Sequence, residues 1–115
     1  MANESNSVLI VGFNTRPLAY SLKKAGYIVY AVDFFGDLDF YPYVDDSIIV
    51  INELKKNYNS LKDKYSKHLA KFALTLHQRY RDVKYFLIGS GLDDAYDDRE
   101  MLYDEMKKYN TQNIN

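Results

Sequence analysis

Short apolar runs alternate along this chain with stretches of helical periodicity. The runs are rich in β-branched residues and occupy residues 7–11, 27–32, 48–51 and 85–88. A run that is apolar on both faces is typical of a strand inside a parallel sheet. Strands that alternate with helices form a parallel sheet covered by helices on both faces. The sequence therefore predicts an α/β fold with a four-stranded parallel sheet in the order 3-2-1-4.

Three helices are predicted between and after these strands. Thr15 and Pro17 mark a helix start, because threonine can cap a helix and proline is tolerated in its first turn; Gly26 marks the end of this helix. Apolar residues at spacings of three and four predict a long helix over residues 60–80, with Ser60 and Asp63 as a capping pair. A last helix is predicted over residues 97–109. The tail, residues 110–115, carries no pattern and is predicted to be disordered.

Size and composition exclude several classes of protein. A chain of 115 residues suits one domain, residues 1–115, with one core. The net charge of −1 gives no basic face for nucleic acid or an anionic membrane, and neither is expected as a partner. The absence of cysteine excludes disulfides and thiolate chemistry. The start is polar and no apolar run reaches membrane-spanning length, so we expect a cytoplasmic protein.

The topology indicates where a ligand would bind. In open parallel sheets, ligands bind beyond the carboxyl ends of the strands, where the strand order reverses. In the order 3-2-1-4 that point lies between the first and fourth strands, so the loops at 12–16 and 89–94 face each other. Arg16 lies beside a helix N-terminus and suits a phosphate or a carboxylate. Alternatively, Arg16 pairs with an acid such as Asp33 or Asp37.

Asp33 ends the second strand, 21 residues after Gly12, which is close to the spacing at which dinucleotide-binding folds place a ribose-binding acid. This spacing favours NAD. The glycine fingerprint is missing, however, because the stretch that begins at Gly12 has one glycine where three are expected. The alternative is that Asp33 serves only to hold neighbouring loops by hydrogen bonds.

The remaining acidic and histidine residues predict no metal site and no catalytic triad. Asp37 and Asp39, with Asp45 and Asp46, do not fit a calcium-binding loop and are interpreted as solvated. The acids from Asp93 to Asp98 are interpreted as helix-capping and solubilising. His68 and His77 lie nine positions apart in the long helix and are predicted to be helix-surface residues.

Four stretches carry a resemblance to a known family. Residues 11–19 (VGFNTRPLA), 25–33 (AGYIVYAVD), 35–39 (FGDLD) and 88–91 (IGSG) resemble the opening domain of predicted ATP-dependent carboligases related to biotin carboxylase. These are ATP-grasp proteins whose first domain is the Rossmann-like pre-ATP-grasp module. The resemblance covers residues 8–94, nearly the whole chain.

This resemblance implies a role for the chain as one part of a ligase. The family uses Mg-ATP to convert a carboxylate into an acyl phosphate, which an amine or similar nucleophile attacks. Two later domains hold ATP and magnesium, so no cofactor is expected in this chain and no activity from it alone. The loop at 35–39 would contact the partner domains. The implied substrate-binding residues are Gly12, Asn14, Thr15, Arg16, Asp33, Gly89, Ser90 and Gly91.

Two alternatives stay open beside the ligase. One is a standalone NAD-type nucleotide-binding module. The other is an interaction domain, since the chain has 12 tyrosines and no tryptophan, and tyrosine is enriched at interfaces. A homodimer is also compatible with the sequence.

Overall fold

Five parallel strands form the sheet at the centre of the protein. The computed structural model describes residues 6–36, 38–56, 59 and 64–114. The strands lie in the order β3-β2-β1-β4-β5, and every neighbouring pair is parallel. The predicted α/β class and the order 3-2-1-4 are confirmed, but the prediction of four strands is wrong. The strands are β1 (Ser7–Gly12), β2 (Ile28–Asp33), β3 (Asp46–Ile49), β4 (Tyr85–Ile88) and β5 (Gln112–Asn113).

The fifth strand lies in the tail that was predicted to be disordered. It is added to the edge of β4 by backbone hydrogen bonds from Gln112 N–H to the Lys84 carbonyl (2.8 Å) and from Ile114 N–H to the Phe86 carbonyl (3.0 Å). Its own side chains, Gln112 and Asn113, are exposed. Main-chain hydrogen bonds are sufficient to place this strand in the sheet. Its sequence therefore shows no apolar pattern from which a strand could be predicted.

In the part of the chain that the structure describes, four α-helices and one 3-10 helix accompany the strands. β3 begins two residues before the predicted run, and Val50 and Ile51, predicted as strand, belong to α2. Asp39 of the predicted acidic loop belongs to a 3-10 helix, whereas Asp37 and the capping pair at Ser60 and Asp63 lie outside the described residues. The helices are α1 (Arg16–Lys24), the 3-10 helix Leu38–Tyr43, α2 (Val50–Leu54), α3 (Tyr65–Arg79) and α4 (Tyr96–Lys108). In the described part of the chain, no helix is long and apolar enough to cross a membrane.

Two layers of helices bury the two faces of the sheet. Successive side chains of a strand point to opposite faces, and β1 is buried on both. Val8 and Ile10 pack on the side of α1 and the 3-10 helix, with Ala19 and Phe40. Leu9 and Val11 pack on the side of α3 and α4. The buried residues of that second layer include Leu69, Leu76, Phe86, Leu102 and Met106.

The prediction that His77 lies on a helix surface is wrong. The side chain is only 1% exposed, and its ring lies 3.0 Å from the hydroxyl of Thr111. α3 packs against both the sheet and α4, so its buried stripe is wider than the spacing of the apolar residues suggested. The buried residues of this helix are Leu69, Ala70, Ala73, Leu76 and His77.

A polar cluster joins α3 to β3 at the edge of the sheet where the strands begin. The hydroxyl of Tyr80 donates to Asp46 Oδ2 at 2.6 Å, and the Tyr80 ring stacks on Tyr30 with centroids 3.8 Å apart. This hydrogen bond, with smaller contributions from burial and charge, raises the pKa of Tyr80 to about 12. Burial acts to raise the pKa of Asp46, but hydrogen bonds from Tyr80, Ser47 and Arg79 outweigh it and lower the pKa.

Tyr80→Phe is expected to lower the free energy of unfolding by about 1 kcal/mol at pH 7, because it removes the hydrogen bond and keeps the ring stack. The pKa of Tyr80 is raised from 10.0 to about 12 in the folded protein. The stabilisation is therefore complete below pH 10 and is lost as the pH rises through 12. Urea unfolding from pH 8 upwards measures the difference between wild type and variant. The matched control is Tyr20→Phe, at a 45% exposed side chain; an equal loss in both variants would contradict the assignment.

Candidate functional site

The strands β1, β2 and β4 end side by side at the centre of one sheet edge. Val11 of β1 pairs with Val32 of β2 and with Ile88 of β4. Three loops follow these strands: the β1 loop (residues 13–15), the β2 loop (34–36) and the β4 loop (89–95). The strand order reverses between β1 and β4, which is the usual position of a ligand site in such sheets. All eight predicted substrate-binding residues belong to this edge.

The β1 and β4 loops are joined through their backbones. Gly89 N–H donates to the Val11 carbonyl at 2.8 Å, and Phe13 N–H donates to the Ser90 carbonyl at 2.9 Å. A Cβ atom on Gly12 would lie 2.9 Å from the Ser90 carbonyl oxygen. Gly12, which the resemblance implied to be a substrate-binding residue, is therefore required for the approach of one loop to the other.

Phe13 lies at the centre of an aromatic cluster at this edge, which the sequence analysis missed. Its ring stacks on Tyr65 (4.6 Å between centroids) and on Phe35 (5.8 Å), and it meets Phe34 edge-on at 4.9 Å. Gly91 has φ +98°, and a Cβ there would lie 2.9 Å from Phe13. The cluster could have been predicted from the ends of the two strands. Gly12 pairs with Asp33, so Phe13 and Phe34, which follow them, lie next to each other.

Asp33 connects the β1 loop to the β2 loop. Its side chain is 3% exposed, and both of its oxygens accept protein hydrogen bonds. Oδ2 accepts from the backbone N–H and the hydroxyl of Thr15, each at 2.7 Å. Oδ1 accepts from the N–H groups of Phe35 (3.0 Å) and Gly36 (2.7 Å). A carboxylate offers about four acceptor positions, so Asp33 holds the loops in place and has no position left for a ribose hydroxyl.

Thr15 is also fully buried, and its role differs from the predicted helix cap. Its hydroxyl bonds to Asp33 across 18 residues of sequence and makes no cap to α1. Its backbone N–H is used by the same carboxylate. The N–H of Arg16 donates to Asn14 Oδ1 at 3.3 Å, and Pro17 has no N–H. Thr15, Arg16 and Pro17 are positions whose backbone amides could bind a phosphate at this helix N-terminus. The amides of Thr15 and Arg16 already donate to side chains, and proline has no N–H to donate.

Among the eight predicted substrate-binding residues, the side chains that reach solvent are Asn14, Ser90 and part of Arg16. Arg16 lines an open cavity of about 240 Å³ together with Pro17, Tyr20 and Tyr43. Such a cavity, with one guanidinium and two tyrosines, can hold a small anionic molecule. The alternative pairing of Arg16 with Asp37 falls on a residue outside the described ones. Within the described residues, no three histidine, aspartate or glutamate side chains come together as metal ligands.

Comparison with known proteins gives a match over part of the chain. No protein-family model matches the chain. A segment is 39% identical over 59 residues to an uncharacterised protein of Methanocaldococcus jannaschii, and it covers 47% of this chain and 15% of that protein. The matched segment therefore spans a small part of that protein, which is several times longer than this chain.

Proposed function

We propose that this chain is the Rossmann-like, substrate-side opening domain of an ATP-grasp carboxylate ligase. One observation carries the proposal: of the four stretches that resemble this family, the three that include the ends of β1, β2 and β4 meet at one edge of the sheet. In this fold class that edge is the ligand-binding edge. The great length of the relative agrees with further domains that would hold Mg-ATP.

The exposed side chains at this edge give the substrate contacts in the proposal. Arg16 binds the substrate carboxylate from the cavity beside α1, and Asn14 and Ser90 supply exposed polar groups. Thr15 and Asp33 act indirectly, because their mutual hydrogen bonds fix the loops that present Arg16. Phe35 is 42% exposed next to this edge, and the remaining domains of the ligase would cover it.

The geometry disfavours the dinucleotide alternative. NAD binding in a parallel sheet needs free amides at the first helix and a free acid at the end of the second strand. Here the amides of Thr15 and Arg16 donate to side chains, and the carboxylate of Asp33 accepts four hydrogen bonds. The groups that would bind NAD in such a fold are therefore already hydrogen-bonded within the loops of this protein.

Nuclear magnetic resonance titration of the chain tests the proposal. Millimolar acetate, succinate or benzoate is expected to cause saturable amide shifts at Arg16 and Ser90, because the guanidinium pairs with a carboxylate. Arg16→Gln is expected to abolish these shifts. Arg79→Gln, which removes an arginine near the opposite sheet edge, is the matched control and is expected to retain them.

Nucleotides form the second arm of the same experiment. Mg-ATP and NAD are expected to cause no saturable shift, because the ATP-holding domains are separate and the acid and amides for NAD are occupied. Saturable NAD shifts at Gly12 and Asp33 would replace the ligase proposal with a dinucleotide site. Carboxylate shifts that survive in Arg16→Gln would contradict the assigned substrate contact.

A further inference from the structure

The terminal strand β5 is held mainly by polar contacts. Gln112 and Asn113 are exposed, and the side chain of Ile114 is 40% exposed. Burial of apolar side chains, the main source of stability elsewhere in the sheet, therefore contributes little to this strand. The buried residue next to it is Thr111, which is 4% exposed. The backbone bonds to β4 and the buried Thr111 therefore contribute strongly to the attachment of β5.

Thr111 connects this segment to α3 through a buried relay. Its hydroxyl donates to the Val83 carbonyl at 3.0 Å, and the same oxygen lies 3.0 Å from Nε2 of His77. A hydroxyl has one proton to donate. Because that proton goes to Val83, the bond to His77 requires a proton on Nε2 of the ring. His77 is 1% exposed, so the relay is shielded from bulk solvent.

The charges around His77 come from two neighbouring elements. Arg81, after α3, places its guanidinium 4.0 Å from the centroid of the Tyr109 ring, and Tyr109 meets the His77 ring edge-on at 5.5 Å. Glu105 of α4 supplies the opposing negative charge, although it is itself paired with Lys108 at 3.4 Å. Thr111 and the residues of β5 are uncharged. Burial, and then Arg81, lower the pKa of His77, and Glu105 acts to raise it.

We propose that the contact between His77 and Thr111 is a proton-controlled latch that docks β5 at neutral pH and releases it in mild acid. A second proton on the ring brings a cation into a buried position beside Arg81, and release of the segment gives the cation access to water. Release also exposes the unpaired N–H and C=O groups of β4. In acid, that edge becomes available to pair with another strand.

The sign and size of the effect follow from proton linkage. The pKa of His77 is lowered in the docked state, so the docked state binds fewer protons than the released state. Docking is therefore stable above the ordinary histidine pKa and weakens as the pH falls through it. If the docked ring takes up no proton, the opening constant of β5 rises about tenfold between pH 7.5 and 5.5, for a released ring of pKa about 6.5.

Hydrogen exchange of the whole chain, followed residue by residue by nuclear magnetic resonance, tests the latch. The protection factors of Gln112 and Ile114 are expected to fall by about three- to tenfold from pH 7.5 to 5.5. Those of Val11 and Val32 in the central strands are expected to change less. His77→Gln keeps a side-chain N–H donor and cannot titrate, so it is expected to abolish the fall. His68→Gln, on the same helix, is the matched control and is expected to retain it.

A second variant keeps the proposal testable if His77→Gln does not fold. Thr111→Val removes the hydroxyl and leaves His77 in place, so Gln112 and Ile114 are expected to exchange rapidly at both pH values. The latch is wrong if protection at these two amides changes less than about twofold across this pH range. It is also wrong if the central strands lose protection equally, because the acid would then act on the whole fold.

Discussion

Replacing Asp33 with asparagine is expected to lower the free energy of unfolding by about 3–5 kcal/mol. The carboxylate accepts four hydrogen bonds, two at each oxygen, from Thr15, Phe35 and Gly36. Asparagine has one oxygen, so in either orientation its amide group faces two donors. Two donors in the interior of the loops, buried or half-buried, then lose their partner. The loss is a large part of the 5–15 kcal/mol typical of a small domain.

Urea unfolding at pH 7 measures this loss against a matched aspartate. Asp45 bonds to Lys23 at 2.8 Å and to Val29 N–H at 2.7 Å, but its side chain is 35% exposed. Asp45→Asn keeps an acceptor for Val29 and loses only a solvent-exposed ion pair, so a loss below about 1 kcal/mol is expected. A cost of Asp33→Asn no larger than that of Asp45→Asn would show that the two loops do not depend on this carboxylate.

The first four strands could be predicted because they are defined by burial. β1 and β2 are largely apolar on both faces, and the structure buries β1 and most of β2 between two helical layers. The bounds of β3 were wrong by two residues, because that strand begins with the polar residues Asp46 and Ser47. β5 could not be predicted in this way, because its two side chains are exposed and backbone bonds hold it. The burial of His77 could not be predicted for the opposite reason. This polar residue is buried because a distant hydroxyl, 34 residues later in the sequence, supplies its hydrogen-bond partner.

The position of the candidate site was predictable, but the role of each residue in it was not. Strand ends in a parallel sheet share one edge, so Arg16, Asp33 and Ser90 could be assigned to that edge from topology alone. Whether a polar side chain there faces a ligand or a neighbouring loop depends on partners far away in sequence. The bond between Thr15 and Asp33 spans 18 residues, and no local pattern distinguishes that buried pair from exposed substrate contacts.

Gly12→Ala is expected to lower the free energy of unfolding by about 2–3 kcal/mol. The added Cβ would lie 2.9 Å from the carbonyl oxygen of Ser90 and 3.1 Å from its nitrogen. Both are backbone atoms, so relief requires the β1 and β4 loops to separate. Separation weakens the hydrogen bond from Phe13 N–H to the Ser90 carbonyl. Carboxylate binding at Arg16 is therefore expected to weaken as well, since the β1 loop leads directly into α1.

Gly89 provides the matched control for this variant, because it lies in the same pair of loops. A Cβ on Gly89 would meet the end of the Leu18 side chain at 3.3 Å and no backbone atom closer than 3.5 Å. A flexible side chain can move by a few tenths of an ångström, so Gly89→Ala is expected to cost less than about 1 kcal/mol. Chemical unfolding and the carboxylate titration are measured on both variants. Equal losses in the two would contradict the close backbone approach at Gly12, whereas a selective loss in Gly12→Ala would show that contact between the loops positions the candidate site.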